Sequence, residues 1–323
     1  MKDESGGIKI NKNESVSIAV CIPTLKRPLQ LGRLLQSIGR QTFSKVGYTP
    51  TIQICIMDND PEASAKQVVD EWRDKLAWPI KYDVEERPGI PFVRNKLVSM
   101  AEDAEFIVFI DDDELATPAW LDELLHAQSE FNADVVMGPV VPIYEVTPPA
   151  WIVKGNFHAS SRFEDGPTPS NLITWNVLIR RSLFSALGVS FEEKMALTGG
   201  TDVLLGRQLR KQCVAFYWAD RALVNEVVPA KRCRVKWLLL RRFRAGTAHV
   251  LINRFAVDNN VLVESLVFSF RTFAIGVLKT ATCIWNGKSA AVKGLGYMVQ
   301  SLGIIAGLFG YAYKEYKAAH ESE

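Results

Sequence analysis

Cysteine is sparse in this 323-residue chain: five residues, an odd number, scattered as Cys21, Cys55, Cys213, Cys233 and Cys283 and never spaced C-x-x-C. A disulfide-built scaffold and a zinc ribbon are therefore excluded, and reduced structural thiols of a cytosolic compartment are expected. The polar stretch 1–15 has no apolar core, so no signal peptide is expected and the stretch reads as a tail. Charge of one sign is also lacking overall, at a formal net +2, which gives no global pull toward nucleic acid. No G-x-G-x-x-G follows the first apolar run, which argues against a dinucleotide-binding dehydrogenase. One local absence is informative. Between Glu226 and Asp258 there is no acidic residue, while Lys231, Arg232, Arg234, Lys236, Arg241, Arg242, Arg244 and Arg254 fall in that interval. These cations are interleaved with Trp237, Leu238, Leu239 and Leu240, unlike a solvated groove that tracks phosphates, so nucleic acid is not an expected partner.

The densest chemistry lies in the run Asp111, Asp112, Asp113, Glu114, directly after the apolar stretch 106–110. Such a stretch reads as a buried strand, which delivers the carboxylates together at its C-terminal end. That edge is where ligands bind in open α/β sheets. Adjacent carboxylates repel each other and lose hydration, and a hard divalent ion bridging to phosphate relieves both costs. An acidic turn capping the next helix accounts for the same residues. Residues 16–138 otherwise alternate strand and helix. Apolar strands at 16–22, 51–57 and 80–84 are separated by segments with helical spacing, such as Leu31, Leu34, Leu35 and Ile38, and 134–138 closes the set. This pattern predicts a parallel, doubly wound sheet. Polar residues stand at three successive strand ends: Thr24 with Arg27, Asp58, and Asp111 to Asp113.

From 140 to 200 the regularity gives way to prolines and to Trp151, Phe157, His158 and Trp175, which suit either a loop-rich cap or an acceptor surface of aromatic faces. Gly199 and Gly200 then precede Thr201 and Asp202 at a helix start, where an Asp is ordinarily a cap or dipole partner. The segment 235–256 is basic, aromatic and amphipathic, fit for an anionic bilayer surface. Residues 262–285 are strongly apolar, and 294–313 carry no charge and are just long enough to span a bilayer. They include Gly303-x-x-x-Gly307, a close-packing spacing. Lys288 and Lys293 before that segment and Lys314 and Lys317 after it give no orientation. A tail folded on the catalytic domain is the alternative, and spanning versus in-plane contact is left open.

Together, Cys21, Ile22, Pro23 and Thr24 with Arg27, the 56–60 segment around Asp58, Pro88 and Gly89 with Val93, Arg94 and Asn95, the acidic run, Thr174 to Val177, and Gly199 to Asp202 resemble a family 2 glycosyltransferase of the GT-A fold. The segment 229–246 resembles the succinoglycan-type bacterial exopolysaccharide branch. The resemblance covers about residues 16–246. It implies an α/β, Rossmann-like, mostly parallel sheet flanked by helices, the GT-A nucleotide-diphospho-sugar transferase fold, with a C-terminal helical membrane-associating region. The implied division is a catalytic domain over 16–228, with a nucleotide-sugar half at 16–138 and an acceptor half at 139–228, followed by a membrane-associated region over 229–323. The implied reaction is inverting transfer of one sugar from a nucleotide sugar, UDP-linked by resemblance, to a lipid-linked glycan at the cytoplasmic face of a bacterial inner membrane. Transfer to polyprenyl phosphate and a non-catalytic assembly role are the alternatives. Implied donor contacts are Pro23, Thr24, Arg27, Asp58 (base), Arg94, Asp111 and Asp112, with Asp113 holding Mg²⁺ or Mn²⁺ in a DXD-like motif. Asp202 falls where the family places its base, and Trp151, Trp175 and Asn176 are the expected acceptor contacts. The family's usual Glu before the base is replaced by Thr201, and no Q-x-x-R-W processivity motif is present.

Overall fold

Seven of the eight residues of β1 (Ser17–Thr24) are buried, as a strand covered by helices on both faces requires. The computed structural model describes residues 16–256 and 260–313; the expected tail 1–15 and the flanking Lys314 and Lys317 lie outside the described residues. After β1 come α1 (Pro28–Ile38), β2 (Thr51–Asp58), α2 (Lys66–Arg73), β3 (Ile80–Val84), α3 (Ile90–Met100) and β4 (Phe106–Ile110). Proline at the first turn preorganises α1, and Leu31, Leu34, Leu35 and Ile38 form its buried stripe. These four strands are parallel, in the order β3-β2-β1-β4.

The next elements are β5 (Glu114–Ala116), α4 (Trp120–Phe131), β6 (Val135–Met137), β7 (Val140–Tyr144), α5 (Ala150–Lys154), β8 (Gly166–Pro167), β9 (Asn176–Arg180), α6 (Ser182–Ala186), α7 (Thr201–Lys211), β10 (Phe216–Trp218) and β11 (Val224–Val228). The main sheet continues β4-β9-β6-β10-β8. The sheet is mostly parallel, as expected, and β9 enters antiparallel between β4 and β6. Its short apolar run encodes burial but not a neighbour, so local pattern could not supply its place. A second sheet, β5-β11-β7, forms directly after the acidic run and sets Glu226 opposite Glu114.

Three long helices follow: α8 (Val235–Ala256), α9 (Val261–Ala281) and α10 (Cys283–Leu308). The uncharged 294–313 stretch is thus mostly the second part of a helix that begins at Cys283 and kinks at Gly287, where φ is 67°. Two α8–α10 contacts need glycine. A Cβ on Gly303 would lie 2.2 Å from the Phe243 carbonyl oxygen, and one on Gly246 would lie 2.2 Å from that of Gln300. The close-packing spacing therefore serves a helix of the same chain.

Candidate active site

The ends of β1 and β2 are in register, Thr24 beside Asp58, and β4 delivers the acidic run to the same edge. Pro23, next to the end of β1 and in register with Met57, is buried. Asp58 is fully buried, and its two oxygens accept from the Asp60 and Ala65 amides and the Tyr82 hydroxyl, at 3.0, 2.8 and 3.1 Å. Burial still raises its pKa. Its carboxylate orders the 58–65 turn from inside. Beside it Asn59 accepts from the Gly89 amide and donates to the Glu85 and Arg87 carbonyls. These bonds seat the start of α3, which carries Arg94.

The acidic run splits by direction. Asp112 is buried and turns toward β1, with one oxygen on the Thr24 hydroxyl (2.9 Å) and the other on the Arg27 guanidinium (2.9 Å). It ties two strand ends together through the Thr24 hydroxyl and the Arg27 guanidinium. Asp111 and Asp113 instead line a cavity of about 140 Å³. Asp113 accepts from two arginines, Arg27 at 3.1 Å and Arg232 at 3.0 Å. Glu114 is buried, accepts from the Asp111 amide at 2.8 Å, and is pushed well up by burial. Burial, reinforced by Asp113 and Asp112 and opposed by Arg94, pushes Asp111 up to about 7, although about a third of its side chain stays open. Negative charge is thus concentrated here beyond what the nearby arginines neutralise.

Arg94 joins this cluster to a distant part of the chain. Its guanidinium lies 3.7 Å from Asp111 and 5.6 Å from the Phe191 ring centroid, and its Nε is buried without a hydrogen-bond partner among the described residues. The Arg94 charge also acts on Asp202, whose pKa burial raises and Arg94 pulls back down. Asp202 is the second residue of α7, with Oδ1 accepting from the Val203 amide at 2.8 Å. Gly199 and Gly200, at φ 75° and 86°, make the left-handed entry that points it there. Thr201 is 1% exposed and its hydroxyl has no partner among the described residues. A general base works only when ionised. In Arg94→Met the acidic limb of the pH–kcat profile should move to higher pH, whereas Arg94→Lys should leave it near the wild-type position.

The cavity is also lined by His158, Trp175, Glu226 and Arg241. None of the lines of reasoning from sequence singled out Glu226, because β11 carries no clear alternation. Burial raises its pKa, opposed by Arg232. His158 is buried, with Nε2 unpartnered among the described residues, and burial with Arg241 and Arg232 lowers it to about 4. It is a neutral imidazole facing the cavity. Of the expected acceptor residues, Trp175 is in this wall. Trp151 stands away from it, on α5, edge-on to Phe157 at 5.5 Å with the Lys288 ammonium 4.9 Å from its ring. Asn176 is corrected: it is fully buried, accepts from the Trp120 indole (2.8 Å), and donates to the Pro139 (3.1 Å) and Ala222 (2.7 Å) carbonyls. Its amide pins β9 to both sheets. Asn176→Ala should lower stability by about 2–4 kcal/mol, read as a drop in the unfolding midpoint.

Asp111 and Asp113 are hard oxygen donors and, with the crowded negative charge, fit Mg²⁺ or Mn²⁺, ions that take one or two carboxylates and complete their shell with phosphate and water. Among the described residues no group of three or more His, Cys, Asp or Glu forms a self-sufficient metal site, which accords with an ion held jointly with a diphosphate.

Comparison with known proteins agrees with this architecture. The chain is 31% identical over 239 residues to succinoglycan biosynthesis protein ExoM of Rhizobium meliloti (strain 1021), covering 73% of this chain and 75% of that one. Mannosyltransferase PcManGT from Pyrobaculum calidifontis, solved with GDP-Man and Mn²⁺, superposes with a TM-score of 0.61 at 14% identity, over 92% of this chain and 88% of that one. S. aureus TarS, solved with UDP-GlcNAc, superposes with a TM-score of 0.52 at 16% identity, over 92% and 93%. Both show the GT-A-like fold. The family model for glycosyl transferase family 2 matches residues 19–188. Sequence match and fold together make this chain a member of glycosyl transferase family 2.

Proposed function

We propose that the chain is an inverting, metal-dependent enzyme that moves one sugar from a UDP-linked donor to a lipid-linked glycan in bacterial exopolysaccharide or cell-surface polysaccharide synthesis. The observation that carries this reading is Arg94, 3.7 Å from Asp111 on one side and acting electrostatically on Asp202 on the other. One arginine thereby links a phosphate-side carboxylate cluster to a separate carboxylate able to take a proton. Likeness to ExoM supports the polysaccharide pathway, and the UDP-GlcNAc complex of TarS supports a uridine nucleotide. Residues 16–138 would hold the donor and 139–228 the acceptor, with 229–323 at the cytoplasmic face of the inner membrane.

In this mechanism Asp202 takes the proton from the acceptor hydroxyl as its oxygen attacks the anomeric carbon, and the nucleoside diphosphate leaves from the opposite face. Arg94 and Arg27 offer guanidinium groups to the departing phosphates. Mg²⁺ or Mn²⁺ bound at Asp113 would neutralise charge gathering on the diphosphate. Trp175 offers a flat apolar face to the acceptor, and neutral His158 an imidazole nitrogen. The absence of the processivity motif supports a single addition.

The test is a screen of nucleotide sugars with Mn²⁺ and bacterial membrane lipid extract, followed by mass analysis of the lipid fraction. One added hexose-type residue on a diphosphate-linked glycan is the expected product. Sugar found only on polyprenyl phosphate would replace the acceptor, and no transfer from any donor would overturn the reading.

A further inference from the structure

The two apolar helices α9 and α10 are long enough to cross a bilayer, but their packing shows which way they run. α8 is docked on the catalytic domain along its length: Leu238 joins an apolar cluster with Ile152 and Val228, while Ile252 and Ala256 pack with Met195 and Leu204. α10 then runs beside α8 in the same direction. Arg242 meets Tyr297 and Gln300, Gly246 meets Gly303, Val250 meets Gly307, and Arg254 donates to the Gly307 and Leu308 carbonyls. α9 packs along α10 through a stripe of small residues, Ser265, Ser269, Thr272 and Gly276. A helix held this way lies parallel to the face of a catalytic domain that works in water. Turning α10 along the bilayer normal would carry α8, with its arginines, and the domain into the hydrocarbon.

The surface of α9 agrees. At 100° per residue its outward arc of about 160° holds Leu262, Leu266, Phe270, Phe273, Val277 and Leu278 and no charged residue. Glu264, Arg271 and Lys279 fall in a separate sector of roughly 80°. Glu264, Arg271 and Lys279 are themselves exposed, on the flank where Phe268 stacks on His249 of α8 at 4.3 Å and the Glu264 charge acts on Arg207 of α7. Arg271 is the eleventh of 21 residues, the centre of any span and the costliest place for a cation. Phe270 and Leu278, 75% and 68% exposed, face outward. Exposed cations on the neighbouring helices, including Lys236 of α8 and Lys288 of α10, have complementary charge for anionic headgroups.

We propose that α9 lies in the plane of an anionic bilayer, sunk into the one leaflet that faces the catalytic domain, with α10 behind it and neither helix crossing. This deepens the membrane part of the proposed function and rests on it; the transfer chemistry does not depend on it. The full-length chain should bind vesicles containing phosphatidylglycerol at least tenfold more tightly than phosphatidylcholine vesicles, and Leu266→Glu with Phe270→Glu should remove most of that binding while donor hydrolysis persists. In cells, a cysteine placed at the α9–α10 turn by Asn286→Cys, in a Cys283→Ser background, should resist a membrane-impermeant maleimide from outside and react after lysis. Labelling from outside in intact cells would overturn the in-plane arrangement while leaving membrane contact standing. Absence of vesicle binding by the wild-type chain, with or without self-association through α9, would overturn both.

Discussion

Replacing Asp202 by Asn should cut kcat by about 10²–10⁴-fold, a barrier increase of about 3–5.5 kcal/mol, while donor affinity stays within about twofold of wild type. The substitution keeps size and the hydrogen bond to the Val203 amide, because the Asn oxygen still accepts from it. What it removes is the ability to take a proton. Burial raises the pKa of Asp202, as suits a group that must take a proton, and the Arg94 charge opposes that rise. Stopped-flow or radiolabel transfer assays, paired with calorimetric titration of the nucleoside diphosphate, separate the two effects. Near-normal transfer by a folded, donor-binding Asp202→Asn protein would remove Asp202 from the mechanism.

The second large effect is expected at Asp113. Its carboxylate is shared by Arg27 and Arg232 at 3.1 and 3.0 Å, so Asp113 would hold a divalent ion in competition with these two guanidinium groups, and the ion would supply charge neutralisation to the diphosphate. Asp113→Ala should abolish the gain in nucleoside-diphosphate affinity that Mn²⁺ confers on the wild type, a loss of roughly 10²-fold or more, since such ions supply several kcal/mol of charge stabilisation. Affinity without metal should change little or improve, because two arginines are freed. Asp112→Asn is the informative control: Asp112 bonds Thr24 and Arg27, so its loss should cost stability and leave the Mn²⁺ dependence of binding in place. Equal Mn²⁺ enhancement in Asp113→Ala and wild type would refute the assignment.

Part of the site was legible because its signals are local. An apolar run followed by carboxylates must deliver them at a strand end, and three such ends on parallel strands share one edge. The two glycines before Asp202 mark only a helix start; its expected role came from the family resemblance. Residue type does not reveal which hydrogen bonds a polar group already makes within the fold. Asp58, Asp112 and Asn176 have the chemistry of ligand contacts, and the structure shows each of them also bonded from within. Glu226 was not legible because β11 meets the acidic run only through non-local contacts, which also bring His158 to the same cavity.

The sequence by itself determined the alternation of strands and helices, the acidic edge, the basic α8 and the apolar reach of α9 and α10, since periodicity and composition are properties of neighbouring residues. Tertiary structure decided what depends on distant partners: β9 between β4 and β6, which carboxylates face the cavity, and the Arg94 link from Asp111 to Asp202. It also decided that α10 runs along a docked α8. Length and hydropathy measure how far a helix can reach, whereas its direction is set by what it packs against.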